Sequence, residues 1–350
     1  MARCLTLATY LRQEGASVVF ICRALAGNLC DELNSAGFRV HRLPSPPATT
    51  AEPGDDDYPK WLGVPWETDA VETSAGLKGE RFDWLIVDHY SITASWHRAV
   101  APVSARTMVI DDLAETEMEC DLLVNQSIID APGNLYERKA PPRCVTLTGP
   151  TYALLRPEFT HRHDIARADP ATPRHLLISF GGVDPVDLTS RTLRALAPDA
   201  PTRWVVETIL GPANPRAEEL TRAHRGRPGI EIVRGPSDLA KRMSRADLAI
   251  GAGGISAWER CCVGLPSLMV SLAPNQTGIC EGIARTGSGR YLGEAEAVDS
   301  ALILAAVSEL SEQPEALAAM STAALSLVDG RGVERVVREM RRIAPGDPPR

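Results

Sequence analysis

Residues 246–266 read ADLAIGAGGISAWERCCVGLP. Leu248, Ala249 and Ile250 form a short apolar run that ends at Gly251, Gly253 and Gly254, and a helix is expected from Ser256 onward. Glycines at a strand-to-helix turn let backbone approach a ligand closely, and the helix N-terminus offers free N–H groups to a phosphate. Glu259 has two readings. One turn into the helix, it is placed to reach ribose hydroxyls. Equally, S-x-x-E is a capping box, in which Glu259 only caps Ser256. The stretch alone leaves both open.

Working outward, the same grammar repeats. HLLISFGG, TRWVVETILG, GIEIVRG and PSLMVSLA are apolar strands ending in turn residues, and VVFICR, FRVHRLP, WLIVDHY, RTMVIDD and CDLLVNQS do the same in the first half. Near-continuous apolar strands separated by helical stretches mean parallel sheets covered on both faces. The polar segment THRHDIARADPATPR, residues 160–174, is the expected boundary. The chain therefore reads as two doubly wound, Rossmann-like α/β domains, 1–159 and 172–350. Ligands of such sheets bind beyond the carboxyl ends of the strands. The site is expected in a cleft between the two. The opening residues MARCLTLATYLRQE read as a helix with Leu5, Ala8 and Leu11 on one face. A last helix near 332–343 is free to pack back on the first domain, though the sequence alone does not show it.

Candidate ligand residues are the polar groups at strand ends. Gly181–Gly182 and Gly211 end two further strands, and with Gly253 and Gly254 they suggest a diphosphate cradle. Neither a Walker A lysine nor G-x-G-x-x-G is present. VSLAPNQTG, read as the end of the final strand, puts Asn275 and Gln276 at the sheet edge. There each amide either hydrogen-bonds a sugar or is an ordinary loop amide. In the first half the strand ends carry Asp88-His89-Tyr90, Asp111-Asp112 and Asn125-Gln126, a common place for substrate contacts. Either aspartate of the pair is also suited to cap a following helix, and Tyr90 to fill core. His161 and His163 resemble a metal pair but have no cysteine or carboxylate cluster nearby. No metal or cofactor is expected.

A net charge of −8 argues against wholesale binding to nucleic acid or anionic lipid, which need basic patches. Asp55, Asp56 and Asp57 sit in a Pro/Gly-rich loop and read as solvated. No apolar run reaches membrane-spanning length and no signal peptide is visible. The eight cysteines lack metal-type spacing and mostly lie in apolar runs, as reduced core cysteines do. A cytoplasmic protein is expected.

Several stretches together resemble one family. VDHYSITASWHR, VIDDLAETEMECDLLVNQ, GPTYALLRPEF, LLISFGGVDP, AIGAGGISAWERCCVGLPSL and LAPNQ look like the motifs of PseG, in order and over nearly the whole chain. YPKWLGVPWETDA and FICRALAGNL fit as well. PseG proteins are the UDP-2,4-diacetamido-2,4,6-trideoxy-β-L-altropyranose hydrolases of pseudaminic acid biosynthesis, and are similar to GT-B glycosyltransferases such as MurG. The resemblance implies UDP on the C-terminal domain, at Gly181, Gly182, Gly211, Gly253, Gly254, Ser256 and Glu259, with Glu259 on the ribose. It implies Asn275 at the reacting sugar, and Asp88, Tyr90, Asp112, Asn125, Arg156 and Gln276 around the substrate. The implied reaction is attack of water on the anomeric carbon opposite UDP, with inversion. Helix N-termini and backbone N–H groups would stabilise the leaving diphosphate.

The family begins with a strand and a turn of the form G-x-G-H-V-x-R-C-L-x-L-A, of which MARCLTLA matches only the end, with Arg3, Cys4 and Leu5 on R-C-L. The first strand and the Gly-His turn, which carries the family's proposed general base, are expected to be missing, and the hydrolysis impaired. His89 ends a different strand and does not replace that base by position. Two alternatives stand beside the hydrolase: a GT-B transferase that gives the sugar to another acceptor, and a UDP-sugar-binding protein without catalysis.

Overall fold

The computed structural model describes residues 1–46, 58–77, 79–128, 135–160, 175–196 and 204–343. The Asp55–Asp57 cluster, the histidines His161 and His163 and nearly all of the expected linker lie outside these. The chain divides into two compact units, Met1–Leu154 with the segment from Arg331, and Leu155–Gly330.

The first unit opens with α1 (Ala2–Gln13), β1 (Val19–Arg23), α2 (Cys30–Ser35) and β2 (Arg39–Leu43). There follow α3 (Trp66–Gly76), β3 (Phe82–Val87), α4 (Ala94–Val100), β4 (Ser104–Ile110), β5 (Leu122–Asn125) and β6 (Val145–Thr148). β1 and β2 pair in parallel, and β3-β4-β5-β6 form a parallel four-stranded sheet. Successive strand residues point to opposite faces, and here both faces are buried. Val109 and Leu123 join Trp96, Val100 and Val87 on the α3–α4 side. Met108, Ile110, Leu122 and Val124 face the other way. That is why these strands read as continuous apolar runs.

The second unit contains α5 (Pro157–Thr160), β7 (His175–Ser179), α6 (Leu188–Ala195), β8 (Val205–Leu210), α7 (Ala217–Ala223), β9 (Ile230–Arg234) and α8 (Leu239–Arg245). It continues through β10 (Leu248–Ala252), α9 (Ile255–Cys262), β11 (Ser267–Ser271), α10 (Pro274–Arg285), β12 (Gly289–Glu294), α11 (Ser300–Ser311) and α12 (Pro314–Leu327). Its six parallel strands run β12-β11-β10-β7-β8-β9. Renumbered within the unit this is 3-2-1-4-5-6, the doubly wound order, with the reversal of winding between β7 and β10. Leu248 and Ile250 of β10 and Leu176 and Ile178 of β7 are fully buried in one core with α6 and α11.

The chain then returns to the first unit as α13 (Gly332–Ile343). Val333, Val336, Val337 and Met340 recur at helical spacing and pack with Leu7, Met108, Ile110 and Val124. A second domain running to residue 350 does not match this placement. The helix is amphipathic, and its apolar stripe covers the free face of the β4–β5 sheet. On α1 Thr6, Leu7 and Ala8 are buried and Leu5 and Leu11 half-buried, so the expected Leu5–Ala8–Leu11 face is covered and Leu7, with Cys4 and Leu11, extends it into the core. Two strands lie outside the apolar runs, β6 and β12. Because β12 follows β11 and forms the edge, Asn275 and Gln276 follow an interior strand, not the final one. No helix of the described residues is long and apolar enough to cross a membrane.

Candidate functional site

In the second unit, three glycine-terminated strand ends meet at the carboxyl edge where the winding reverses. Gly211, after β8, lies against the turn after β7: a Cβ there would sit 2.3 Å from the Gly182 carbonyl oxygen and 2.4 Å from that of Gly181. Gly251 is as tightly enclosed, with the Ser179 carbonyl oxygen 2.5 Å and Arg260 Nη1 2.7 Å from the same virtual atom. At Gly181 and Gly182 a Cβ would meet nothing within 4 Å. The edge is thus tight where backbones pack on each other and open at Gly181–Gly182. A ligand approaching there meets main chain rather than side chains.

Gln276, in the first turn of α10, ties the turn after β10 to the end of β11. Its Oε1 accepts from Gly253 N at 3.2 Å and from Leu272 N at 3.1 Å. Asn275 precedes it in the same turn, half-buried. Gly254 is the N-cap of α9 and no side chain caps that helix. The capping box is therefore not formed. Glu259 is buried, and its Oε1 instead accepts from Arg156 Nε at 3.1 Å and Nη2 at 2.9 Å. Burial pushes the Glu259 carboxyl above its ordinary range, against the pull of Arg156. Arg156 Nη1 also lies 2.8 Å from Glu158 Oε1. The sequence motif pointed to Glu259 and the family resemblance to Arg156, but neither to their pairing, because 103 residues separate them. Ser256 Oγ accepts from Arg260 Nη1 at 3.3 Å.

In the first unit, Asp88, Tyr90 and Asp112 are brought together beyond the carboxyl ends of β3 and β4. Arg3 joins them: Nη2 reaches Asp88 Oδ1 at 2.7 Å and Nη1 reaches Asp112 Oδ2 at 2.5 Å. Tyr90 Oη donates to Asp112 Oδ2 at 3.0 Å. Burial opposes the charge on Asp88, but the Arg3 guanidinium outweighs it and holds the carboxyl well below the usual carboxylate range. Tyr90 also packs against Tyr58 and Trp61, with ring centroids 5.0 and 6.1 Å away. The segment YPKWLGVPW thus supplies an aromatic wall beside a carboxylate pair. Arg3, Tyr58 and Trp61 were not singled out as ligands from the sequence. The signal for Arg3 is an arginine in the first turn of an otherwise half-apolar helix.

Asn125 lies apart from that cluster and points inward. Its Nδ2 donates to Tyr136 Oη at 2.8 Å and its Oδ1 accepts from Ser127 N at 2.8 Å. Asp111 is the third member, accepting from Tyr136 Oη at 2.7 Å and Ala114 N at 2.7 Å. No helix follows Asp111 and Asp112; Asp111 closes a turn instead. His89 accepts from Ser91 N through Nδ1 at 3.2 Å, and burial lowers its pKa. Among the described residues no group of three His, Cys, Asp or Glu side chains is arranged to hold a metal ion.

No family model matches the chain. It is 31% identical over 193 residues to the spore coat polysaccharide biosynthesis protein SpsG of Bacillus subtilis, a match spanning 54% of this chain and 56% of that protein. It is 23% identical over 241 residues to the UDP-2,4-diacetamido-2,4,6-trideoxy-β-L-altropyranose hydrolase of Campylobacter jejuni, spanning 69% of this chain and 76% of that one. Among solved structures, the calicheamicin glycosyltransferase CalG4 superposes with a TM-score of 0.62 at 16% identity, covering 99% of this chain and 96% of that chain. The fold is that of the GT-B glycosyltransferases, α/β with two Rossmann-like parts.

Proposed function

We propose that this chain processes a UDP-linked sugar, with the UDP held by the second unit. One observation carries the reading: Gly181–Gly182, Gly211 and the Gly251–Gly254 turn converge where the winding of the six-stranded sheet reverses, beside an uncapped helix N-terminus. That is where a doubly wound sheet takes a nucleotide, and an uncapped helix start suits its diphosphate. In this reading Gly181, Gly182, Gly253, Gly254 and Ser256 contact the diphosphate and Glu259 the ribose. Arg156, bonded to Glu259 through Nε and Nη2, fixes that carboxyl in place for the task, and Gln276 fixes the turn. Asn275 orients the sugar, and Asp88, Tyr90 and Asp112 recognise it or its acceptor. Asn125 supports them from behind, through Tyr136 and Asp111.

The finer reaction is hydrolysis. Water adds to the anomeric carbon as the bond to the diphosphate oxygen breaks, giving UDP and the free sugar with inversion. The hydrolase name of the Campylobacter relative supports this choice, at 23% identity. A sugar transferase is the second reading, favoured by the glycosyltransferase that shares the fold. A binder without turnover is the third.

The test is UDP release from UDP-2,4-diacetamido-2,4,6-trideoxy-β-L-altropyranose, with the anomer of the first-formed sugar read by NMR. Release in water alone with inversion supports the hydrolase. Release only when an acceptor is added supports the transferase. Stabilisation by UDP without any release supports the binder, and the absence of all three overturns the UDP-sugar reading.

A further inference from the structure

Arg260 follows Glu259 on α9 and is fully buried, 0% exposed. A guanidinium stays charged inside proteins. Its hydrogen-bond partners among the described residues are all neutral. Nε donates to Ser267 Oγ at 3.0 Å, Nη2 to the Ala252 carbonyl at 2.7 Å, and Nη1 to Ser256 Oγ at 3.3 Å. The adjacent carboxylate, Glu259, spends its hydrogen bonds on Arg156. Burial accordingly lowers the pKa of Arg260. Neutral acceptors satisfy the donors, and the neighbouring Glu259 carboxylate offsets only part of the charge, because burial outweighs it.

The charge left over is concentrated at one place. The guanidinium touches both ends of the strand-to-helix turn: it packs on Gly251, bonds Ala252, and bonds Ser256. The turn leads into α9, whose N-terminus carries partial positive charge and no side-chain cap. Two sources of positive potential therefore stand together at the edge of the sheet. Because Ser256 Oγ accepts from Arg260, its own hydroxyl hydrogen remains to be donated.

We propose that Arg260 is a positioning residue for a diphosphate: its hydrogen bonds fix the Gly251–Ser256 turn, and its charge, behind that turn, is compensated when the ligand's phosphates dock there. The inference rests on the reading of this edge as the nucleotide site, but it requires only the diphosphate, not the uridine.

The test compares wild type with Arg260→Met and Arg260→Lys, using pyrophosphate, UDP and uridine as probes in thermal melts and calorimetry. Methionine fills much of the space without charge. The expected result is an unliganded melting temperature at or above wild type, because the buried, only partly compensated charge is gone. UDP affinity should fall about 10- to 100-fold and pyrophosphate stabilisation should vanish. Uridine binding should be unchanged, and lysine should restore part of the UDP affinity. Equal losses for uridine and UDP would make Arg260 a packing residue and overturn the proposal. So would wild-type UDP affinity in folded Arg260→Met. Should that variant not fold, the lysine and Arg260→Gln variants decide: the same UDP affinity in both overturns it. If wild type binds pyrophosphate but neither UDP nor uridine, the UDP reading fails, while the pyrophosphate comparison still judges Arg260.

Discussion

Glu259 concentrates the residue-scale question, because its carboxylate already has a partner. Glu259→Ala removes the acceptor of two Arg156 hydrogen bonds and, in the proposed function, a ribose contact. UDP affinity should fall about tenfold or more, the scale of one hydrogen bond to a charged group. Calorimetry on the folded variant reads this directly. Unchanged affinity with a lower melting temperature would leave Glu259 as the structural mate of Arg156. His97 poses a separate problem of the same size. It is buried, its Nδ1 accepts from Glu119 N at 3.2 Å, and its Nε2 has no partner among the described residues. Burial lowers its pKa to about 4. Between the ordinary value near 6.5 and about 4, the unfolded chain binds more protons than the folded one. The stability that neutral His97 supplies is thus complete above about 6.5 and lost as pH falls toward 4. The stability gap between wild type and His97→Gln, from urea melts, should shrink by about 2 kcal/mol between pH 7 and pH 4.5. A gap that does not change with pH would show that His97 is not held neutral by burial.

At the scale of elements, the glycines of one edge separate into two kinds. Gly211→Ala drives a methyl group into the Gly181 and Gly182 carbonyls, so the turn after β7 must move away from β8. Overpacking of this sort costs about 1–3 kcal/mol. Gly182→Ala meets open space and should leave the melting temperature nearly unchanged, yet weaken UDP binding by putting a side chain where the ligand approaches. Melting curves with and without UDP distinguish the two. A Gly182→Ala variant that binds UDP like wild type would move the diphosphate away from that turn. The same edge shows what could be read from sequence. β7, β8, β10 and β11 are buried on both faces, so their apolar runs declare them. β6 and β12 are outer strands with mixed exposure: VTLT follows two prolines, and GRYLGE opens on glycine and carries an exposed arginine. Neither gives a continuous apolar run. Site residues named by type were found in the strand ends, but their partners were not. Arg3 with Asp88, and Arg156 with Glu259, are pairings of residues 85 and 103 positions apart, and only the packed fold reveals them.

For the whole molecule, the decisive fact is that the first unit is built from both ends of the chain. α13 contributes Val333, Val336, Val337 and Met340 to the core that also holds Leu7, Met108, Ile110 and Val124. Burying an aliphatic side chain is worth about 1.5–3 kcal/mol, so these four are worth roughly 6–12 kcal/mol as an upper estimate. That is comparable to the entire stability of an ordinary domain. The polar links are weaker. Arg335 donates to the Thr151 carbonyl at 2.9 Å, and Arg341 pairs with Glu14 at 2.6 Å on the surface, where an ion pair adds little. A chain ended after Gly330 should therefore lose the first unit selectively. Its β4 and β5 faces would be exposed, while Leu155–Gly330 keeps its own six-stranded sheet and its own core. Hydrogen exchange should show β3–β6 unprotected and β7, β10 and β11 protected in the shortened chain. UDP should still raise the melting temperature of what remains. Restoring the segment from Arg331 as a separate peptide should recover protection in β4 and β5, because the helix docks by its apolar stripe. If the shortened chain keeps full protection in β4 and β5, α13 is an appendage and the core assignment is wrong. If instead β10 and β11 lose protection along with them, the second unit does not stand alone, and UDP binding cannot be assigned to it separately.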